Sequence, residues 1–202
     1  TSRDIDALLD YLTQHPEVNE IILSGGDPLM ADDSSISQLF SRIESIPTIR
    51  RLRIHSRLPV VIPDRVTESL CEVIASTRLP VVMVLHINHA NEIDASVVSA
   101  VGKLRQVCRS VLNQAVILKG VNDTAECLIA LSERLFEAGI DPYYLNVLDR
   151  VAGAHHFDVT DQEVAALHQA LLNALPGYLI PKLVREVPGV GHKVQWQEAT
   201  HS

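Results

Sequence analysis

A strand-like apolar run recurs along this chain about every 30 residues, and a helical pattern follows each one. This alternation is the feature that most constrains the fold, because strands joined by helices at that period form βα units and a parallel sheet. Five runs are predicted to begin near Asn19, Arg51, Pro80, Val111 and Pro142. A sixth and weaker strand is predicted at residues 178–184, although Pro181 lies within it.

Helices are predicted between the strands, wherever apolar residues repeat with the spacing of one helical face. The first covers residues 1–14, in which Ile5, Leu8, Leu9 and Leu12 share a face, and His15-Pro16 ends it. The others are predicted at residues 36–46, 67–76, 95–107, 125–138 and 161–175. Each of them has one apolar face that can cover the sheet.

Two α/β architectures satisfy this alternation: an open doubly wound sheet and a closed or partly closed barrel. No predicted strand is followed by the G-x-G-x-x-G turn of a dinucleotide-binding sheet, and polar residues stand at the C-terminal ends of successive strands. Both observations favour a barrel, whose chemistry gathers on one rim. We therefore predict one domain over residues 1–202, a partial (β/α)6-type TIM-like barrel. Having fewer units than a complete barrel, it is either an open ring or a piece of a longer protein.

Charge and length exclude several classes of function. The 202 residues suffice for one buried core. The chain has 17 basic and 25 acidic residues, a net charge of −8, and its one arginine cluster, at positions 50, 51, 53 and 57, runs into a predicted strand. We therefore predict no nucleic-acid binding. No apolar run approaches the ~18 residues of a membrane span, and the charged start of the chain has no apolar signal region. These observations predict a cytoplasmic protein without a membrane partner.

The three cysteines, Cys71, Cys108 and Cys127, are scattered and include no C-x-x-C pair. An odd and scattered set argues against a disulfide framework and against a zinc or iron–sulfur site built from this chain. All three are predicted to be small buried hydrophobic residues in a reducing compartment. No metal ligand is predicted within the chain.

The most distinctive rim candidate is Ser24-Gly25-Gly26-Asp27-Pro28, which follows the first predicted strand. Two glycines allow the backbone to turn with positive φ and to approach a ligand closely. The proline then prevents regular structure from continuing at once. The Asp27 carboxylate is therefore predicted at the end of a strand, next to the backbone of two residues without side chains. The alternative interpretation is a tight turn in which Asp27 caps the next helix.

Polar side chains also follow the other predicted strands. They are His55-Ser56-Arg57, His86-Ile87-Asn88-His89, Asn113-Gln114 and Asp149. His86 and His89 are three residues apart, which on a strand places them on opposite faces, so we predict no shared metal. Gln114 lies in an apolar strand, where an unpartnered polar side chain costs roughly 1–3 kcal/mol. Two interpretations of Gln114 remain, a buried structural hydrogen bond and a contact with a ligand. For Asp149 the alternative is a surface ion pair with Arg150.

The tail at residues 185–202 contains two glycines and a proline before Lys193, and therefore presents that lysine from a loop. Loop lysines are usually solvated. A lysine presented in this way is also able to form a Schiff base with an aldehyde cofactor. The pattern of residues alone does not choose between these two roles.

Taken together, these stretches resemble the lysine 2,3-aminomutases of the radical S-adenosylmethionine superfamily. The resembling motifs occur in order along the chain, at residues 23–29, 53–61, 89–93, 113–123 and 142–144. Within that family, residues 147–157 and 177–186 are most similar to the bacterial branch that makes (R)-β-lysine for the modification of elongation factor P. The resemblance extends over nearly the whole chain.

The resemblance implies an isomerase that uses a [4Fe–4S] cluster, S-adenosylmethionine and pyridoxal phosphate to move the amino group of L-lysine from C2 to C3. It also implies a functional link to elongation factor P and to the ligase that attaches the lysyl group. Two alternatives remain open. One is an aminomutase of lysine catabolism or of an osmolyte pathway, and the other is a non-catalytic barrel that binds S-adenosylmethionine and lacks the cluster.

Site residues are implied by the same resemblance, position by position. It implies that the following residues contact S-adenosylmethionine, the first four of them at its methionyl amine: Ser24, Gly25, Gly26, Asp27, Ser56, Arg57, His86 and Gln114. It implies that Lys193 is the residue that binds pyridoxal phosphate. Asp149 and Glu186 correspond to the acidic pair that binds the distal ammonium of the lysine substrate.

The chain departs from the family pattern in two places. The three-cysteine motif C-x-x-x-C-x-x-C is absent, and so are the basic residues near it that contact pyridoxal phosphate in relatives. The cluster ligands are therefore expected outside this chain, which would be a fragment without its N-terminal part and inactive by itself. The tail before Lys193 is also less rich in glycine than in the aminomutases.

Overall fold

The computed structural model describes residues 2–148, 157–186 and 193–196, and the chain forms two compact units. The first unit comprises Thr1–Leu85 and Ala95–Val111, and the second comprises His86–Asp94 and Leu112–Ser202. Among the residues described, no helix combines the length and the hydropathy needed to cross a bilayer.

The first unit is a parallel sheet with helices between its strands. Its strands are β1 (Glu20–Leu23), β2 (Arg51–Ser56) and β3 (Val81–His86), the last residue of which belongs to the second unit. Its helices are α1 (Ser2–Gln14), α2 (Asp33–Glu44), α3 (Leu58–Val61), α4 (Glu68–Ser76) and α5 (Ala95–Val107). The register pairs Ile54 of β2 with Leu23 of β1 and with Met83 of β3. Ile54 and Met83 are almost completely buried and anchor the core of this unit.

The second unit repeats this arrangement. Its strands are β4 (Ser110–Val116), β5 (Asp141–Asn146), β6 (Lys182–Arg185) and β7 (Val194–Gln195), and the first two residues of β4 belong to the first unit. Its helices are α6 (Ala125–Glu137) and α7 (Asp161–Ala174). Strands β4, β5 and β6 are parallel neighbours, and β7 pairs antiparallel with β6. The register between β4 and β5 shifts at Asn113 and Gln114.

The predicted alternation of strands and helices is confirmed, but two elements have wrong boundaries. The helix predicted at residues 36–46 is observed as Asp33–Glu44, because Asp32 caps it and the helix begins three residues before the apolar pattern. The helix predicted at residues 95–107 is observed as Ala95–Val107, and the first five strands begin within one residue of the predicted positions. The sixth strand begins only at Lys182, not at residue 178. Gly177–Leu179 instead forms a 3₁₀ turn, and Pro181, which has no N–H to donate, directly precedes the strand.

Four helices begin at a residue whose side chain accepts a hydrogen bond from a backbone N–H of the first turn. These N-caps are Asp32, Thr67, Thr124 and Thr160, at α2, α4, α6 and α7. At α7 the Glu163 carboxylate also accepts from the Thr160 N–H, which completes a capping box. Such caps satisfy N–H groups that have no partner within the helix, and they explain why these helices begin where they do.

The C-terminal end of α2 is held by Arg78, which sequence analysis did not single out. Its guanidinium donates to the carbonyl oxygens of Glu44 at 2.5 Å and Ile46 at 3.2 Å, and the Glu44 carboxylate accepts from the Arg78 N–H at 3.1 Å. Glu44 is the last residue of α2 and Ile46 lies just beyond it, so neither carbonyl has a partner within the helix. A positive charge there also complements the helix dipole.

We expect Arg78→Met to lower the free energy of unfolding by about 2 kcal/mol, because it removes charge-assisted hydrogen bonds from several carbonyls at once. Urea unfolding followed by circular dichroism measures this loss. Arg105→Met is the matched control, since Arg105 is exposed on α5, and it should change the unfolding midpoint little. Equal effects of the two substitutions would contradict the role given to Arg78.

Candidate functional site

The Gly25-Gly26 turn directly follows β1 and leaves open space beside its backbone. Gly25 has φ 85° and Gly26 has φ 57°, both in the left-handed region that disfavours other residues. A Cβ added to either glycine would meet no atom within 4 Å. The glycines are therefore required by backbone conformation, and a ligand can reach the peptide groups of the turn from this side.

Asp27 joins the end of β1 to the end of β2. Its Oδ1 accepts from the Leu29 N–H at 3.0 Å and from the Ser56 hydroxyl at 2.7 Å. Its Oδ2 accepts from the Arg57 N–H at 2.7 Å and from the Leu58 N–H at 3.2 Å. The predicted capping role is confirmed for the 3₁₀ turn Pro28–Met30. Four donors also occupy the lone-pair directions that a carboxylate offers, so the Asp27 carboxylate is held rigidly.

Ser56 and Arg57 complete this cluster in different ways. Ser56 is only 2% exposed, and its hydroxyl both donates to Asp27 and accepts from the Leu58 N–H at 3.1 Å. Arg57 contributes its backbone N–H to Asp27, while its side chain is exposed. The Asp27 carboxylate therefore lies next to the buried hydroxyl of Ser56, and the guanidinium of the adjacent Arg57 is accessible to solvent.

Arg65 stabilises the segment after the Gly-Gly-Asp turn, and sequence reasoning missed it. Its Nε donates to the Leu29 carbonyl at 2.7 Å, and one Nη donates to the Ala31 carbonyl at 2.9 Å. The same guanidinium lies 2.8 Å from the Asp33 carboxylate. No local pattern marks Arg65, because its partners lie more than 30 residues earlier in the chain.

In the second unit, Gln114 and His86 contact each other. Their Nε2 atoms are 3.1 Å apart. The Gln114 Oε1 is buried and has no hydrogen-bond donor among the residues that the structure describes. A buried carbonyl oxygen without a donor is costly, so a ligand N–H or O–H at this position would be stabilising. The Gln114 amide thus has a hydrogen-bonding contact with His86, and the ligand contact of its Oε1 stays a prediction.

Asn113, next to Gln114, has a purely structural role. Its Oδ1 accepts from the Ile87 N–H at 2.8 Å and its Nδ2 donates to the Ile87 carbonyl at 3.0 Å. The Asn113 side-chain amide therefore binds both backbone polar groups of Ile87, the N–H and the carbonyl, as the backbone of a neighbouring strand would. His89 is also structural, because its Nδ1 accepts from the Asn91 N–H and caps the 3₁₀ turn Ala90–Glu92.

Asn122 forms a second structural hub of this unit. It is fully buried, its Oδ1 accepts from the Leu118 N–H at 2.7 Å, and its Nδ2 donates to the carbonyls of Asn88 and Val116. Asn88 in turn accepts from the Val116 N–H at 2.9 Å. These amides satisfy backbone groups where β4 ends, and sequence reasoning did not identify this role for either residue.

Lys193 lies among three polar or aromatic groups of the second unit. Its Nζ donates to the Asn146 Oδ1 at 2.5 Å and lies 3.2 Å from the Glu186 carboxylate. It is also 5.6 Å from the centre of the Tyr144 ring. Lys193 is therefore not a solvated loop lysine, since its side chain is only 25% exposed. Asp149 lies outside the described residues.

The cysteines do not form a metal site. Among the described residues, no group of three His, Cys, Asp or Glu side chains could hold a metal ion. Cys71 and Cys108 are buried as predicted, whereas Cys127 is partly exposed, so the prediction that all three are buried is wrong for Cys127. Cys127 lies in the first turn of α6, where its N–H donates to the Thr124 hydroxyl.

These environments predict unequal thiol reactivity. Burial, with a smaller contribution from Cys71, raises the pKa of the Cys108 thiol to about 12, and burial also raises the pKa of Cys71. Because the thiolate is the nucleophile, iodoacetamide at pH 8 should alkylate Cys108 at least about a hundredfold more slowly than Cys127. Peptide mass spectrometry over time measures the three rates. In concentrated urea the rates should become equal, and equal rates in the folded protein would contradict the prediction.

Two curated proteins are similar to the chain over nearly its whole length. L-lysine 2,3-aminomutase of Haemophilus influenzae is 51% identical over 190 residues, which is 94% of this chain and 56% of that protein. L-lysine 2,3-aminomutase of Escherichia coli K12 is 52% identical over 187 residues, 93% of this chain and 55% of that protein. The chain thus spans about half the length of the curated relatives it matches. No model of a known protein family matches it.

Solved structures with little sequence similarity share the fold. SuiB of Streptococcus suis, also solved with bound S-adenosylmethionine, has a TM-score of 0.61 at 16% identity, covering 91% of this chain and 43% of that one. A radical SAM methyltransferase from Sphaerobacter thermophilus has a TM-score of 0.61 at 13% identity, covering 90% of this chain and 56% of that one. The predicted fold class, an α/β partial barrel, is confirmed.

Proposed function

We infer that the chain belongs to the lysine 2,3-aminomutase family, to which it is similar over more than nine-tenths of its length. From this premise we propose that the protein is an isomerase, a radical S-adenosylmethionine and pyridoxal-phosphate-dependent L-lysine 2,3-aminomutase. The observation that carries the proposal is that Asn146 and Glu186 hold the amine of Lys193, the residue that the family resemblance implies for the cofactor.

The Gly-Gly-Asp turn fits the methionyl amine of S-adenosylmethionine. The space beside Gly25 and Gly26 is open, and a cationic amine binds well to peptide carbonyls next to a carboxylate. Because four donors fix Asp27, the carboxylate would contribute its negative charge from a constant position. Arg57 offers a guanidinium from the same cluster. His86 and the buried Gln114 Oε1 remain predictions as further contacts of this cofactor.

Lys193 fits the aldehyde of pyridoxal phosphate, since it is the one described lysine whose ammonium is held by a buried amide. When bound, this cofactor supplies the conjugated system that lets an amino group migrate between neighbouring carbons. The protein's part is to present the Lys193 nitrogen in one position. Asn146 and Glu186 do so with two acceptors, one neutral and one charged.

Glu186 is proposed to bind the distal ammonium of the lysine substrate together with Asp149. The Glu186 side chain is 62% exposed and is therefore accessible to a ligand. Two carboxylates that converge on one ammonium discriminate against substrates without it, because those substrates would leave the carboxylates unpaired. Glu186 also pairs with Lys193, so its partner would change when the Lys193 nitrogen is occupied.

The [4Fe–4S] cluster does not fit the cysteines of this chain. Two of the cysteines are buried, and none of them belongs to a group of three metal-binding side chains among the described residues. In the proposed enzyme, the ligands of the [4Fe–4S] cluster therefore lie outside these 202 residues.

The finer proposal is that the enzyme is cytoplasmic and makes (R)-β-lysine for elongation factor P, together with the ligase that modifies that factor. The resemblance of residues 147–157 and 177–186 to that branch supports this assignment. Deleting the gene should abolish β-lysyl modification of elongation factor P, measured by intact-protein mass spectrometry. Persistence of the modification would overturn this role and leave the catabolic or osmolyte alternative.

The test of the activity uses the full-length protein, reconstituted anaerobically with iron and sulfide and supplied with lysine, S-adenosylmethionine and pyridoxal phosphate. Mass spectrometry should detect both β-lysine and 5′-deoxyadenosine. Formation of 5′-deoxyadenosine without β-lysine would show a radical enzyme with another substrate. If a protein with a complete cluster yields neither product, the non-catalytic binding barrel becomes the better interpretation.

A further inference from the structure

Asn146, the last residue of β5, is a buried amide with two different partners. It is 8% exposed in the second unit. Its Nδ2 donates to the Ala115 carbonyl at 2.9 Å, and its Oδ1 accepts from the Lys193 ammonium at 2.5 Å. These partners fix the orientation of the amide, because the reverse orientation would place oxygen against a carbonyl and N–H groups against an ammonium.

The two acceptors around Lys193 differ in how firmly they can hold it. Glu186 is mostly exposed, and an ion pair between exposed groups is weakened by solvent and salt. Asn146 is buried and is itself anchored to β4 through Ala115, so its oxygen occupies a constant position. Tyr144 offers no acceptor at hydrogen-bond distance and contributes only its ring, whose centre lies 5.6 Å from the Lys193 Nζ.

We propose that Asn146 is the positioning residue of Lys193: its Oδ1 fixes the amine that receives the aldehyde cofactor, and its Nδ2 ties that position to the sheet. No comparison and no motif of the sequence assigns this role to Asn146. The inference rests on the proposed function where it concerns the cofactor, whereas the hydrogen bond to Lys193 can be tested without any cofactor.

The first test measures acetylation of Lys193 by N-succinimidyl acetate in the full-length protein without pyridoxal phosphate, resolved by peptide mass spectrometry. An amine whose nitrogen is bound by a buried acceptor is less available to the reagent than a free amine. Asn146→Leu should accelerate acetylation of Lys193 at least about fivefold, because it removes a hydrogen bond to a charged group. Rates at Lys103, Lys119 and Lys182 provide internal references and should stay unchanged.

Asn146→Asp separates positioning from a purely structural role. Both substitutions remove the hydrogen bond to Ala115, but aspartate keeps an acceptor for Lys193 and adds a negative charge. Acetylation of Lys193 should therefore be slower in Asn146→Asp than in the unmodified protein. If both variants react faster, or if Asn146→Leu reacts at the original rate, the proposal is wrong.

The second test connects the hydrogen bond to the cofactor. Pyridoxal phosphate is added to the full-length protein, reduced with borohydride, and the modified lysine is located by mass spectrometry. Asn146→Leu should raise the concentration that gives half-maximal modification of Lys193 about tenfold. The matched control is Asn113→Leu, which removes another buried amide that binds only the backbone of Ile87, and it should change that concentration less than about twofold.

The outcomes distinguish the assignment of Lys193 to the cofactor from the positioning role of Asn146. If the unmodified protein shows no modification at Lys193, the cofactor assignment of the proposed function fails, and the acetylation rates still decide whether Asn146 holds the lysine. If Asn113→Leu and Asn146→Leu weaken modification equally, the effect arises from the fold in general and the positioning role is overturned.

Discussion

Alanine in place of Lys193 is expected to abolish formation of β-lysine, with a loss of at least about a thousandfold in rate, while cleavage of S-adenosylmethionine continues. The physical reason is that the cofactor aldehyde needs a primary amine at one position, and the described neighbours of Lys193, which are Asn146, Glu186 and Tyr144, carry none. Lys193 is the residue that Asn146 and Glu186 hold in place. Mass spectrometry of the full-length reconstituted enzyme measures β-lysine and 5′-deoxyadenosine in the same sample.

Lys193→Arg distinguishes the need for imine formation from the need for a positive charge. Arginine keeps the positive charge beside Glu186 but cannot form an imine. The arginine variant should be as inactive as the alanine variant. Lys182→Ala serves as the matched control, since Lys182 is exposed on the neighbouring strand β6, and it should retain nearly full activity. Substantial β-lysine formation by Lys193→Arg would contradict the assignment of Lys193.

Removing the Asn122 side chain is expected to cause the largest loss of stability. Asn122 is fully buried and bonds the Leu118 N–H and the carbonyls of Asn88 and Val116. Alanine would leave three partly buried backbone groups without these partners, and a buried polar group that loses its partner costs about 1–3 kcal/mol. We therefore expect Asn122→Ala to lower the free energy of unfolding by about 3 kcal/mol or more.

Urea unfolding followed by circular dichroism measures this change. Asn91→Ala is the control, because Asn91 is exposed in the 3₁₀ turn Ala90–Glu92 and should contribute little through its side chain. A loss below about 1 kcal/mol for Asn122→Ala would mean that water or relaxed backbone satisfies these groups. Proteins that fail to accumulate in the folded form would agree with the expected direction but would require a milder substitution, Asn122→Ser.

Local patterns predicted the elements well because helices and strands depend on neighbouring residues. The helix Ala95–Val107 is predicted by its apolar spacing. The apolar spacing alone placed the start of α2 at residue 36, whereas the Asp32 cap starts this helix at Asp33. The failure at residues 178–184 has the same origin: the apolar run suggested a strand, whereas Pro181 limits the strand to residues on its C-terminal side.

Part of the candidate site was predictable, and part was not. The Gly-Gly-Asp turn and Lys193 stand out as residue types with chemical capability at loop positions. The residues that hold them do not stand out. Arg65 reaches carbonyls 36 and 34 residues earlier, and the Asn146 side chain bonds a carbonyl 31 residues earlier. Hydrogen bonds over such separations leave no periodic signal in the chain.

The sequence by itself determined the alternation of strands and helices, the glycines that permit positive φ, and the chemical types of the candidate residues, because each depends on local backbone preference or side-chain chemistry. Only the tertiary structure decided which buried polar groups are satisfied and by what. It showed that Asp27 is saturated by four donors, that Gln114 keeps a buried oxygen without a donor among the described residues, and that Asn146 binds Lys193. Burial and pairing are properties of residues brought together from distant parts of the chain, so the folded arrangement alone determines them.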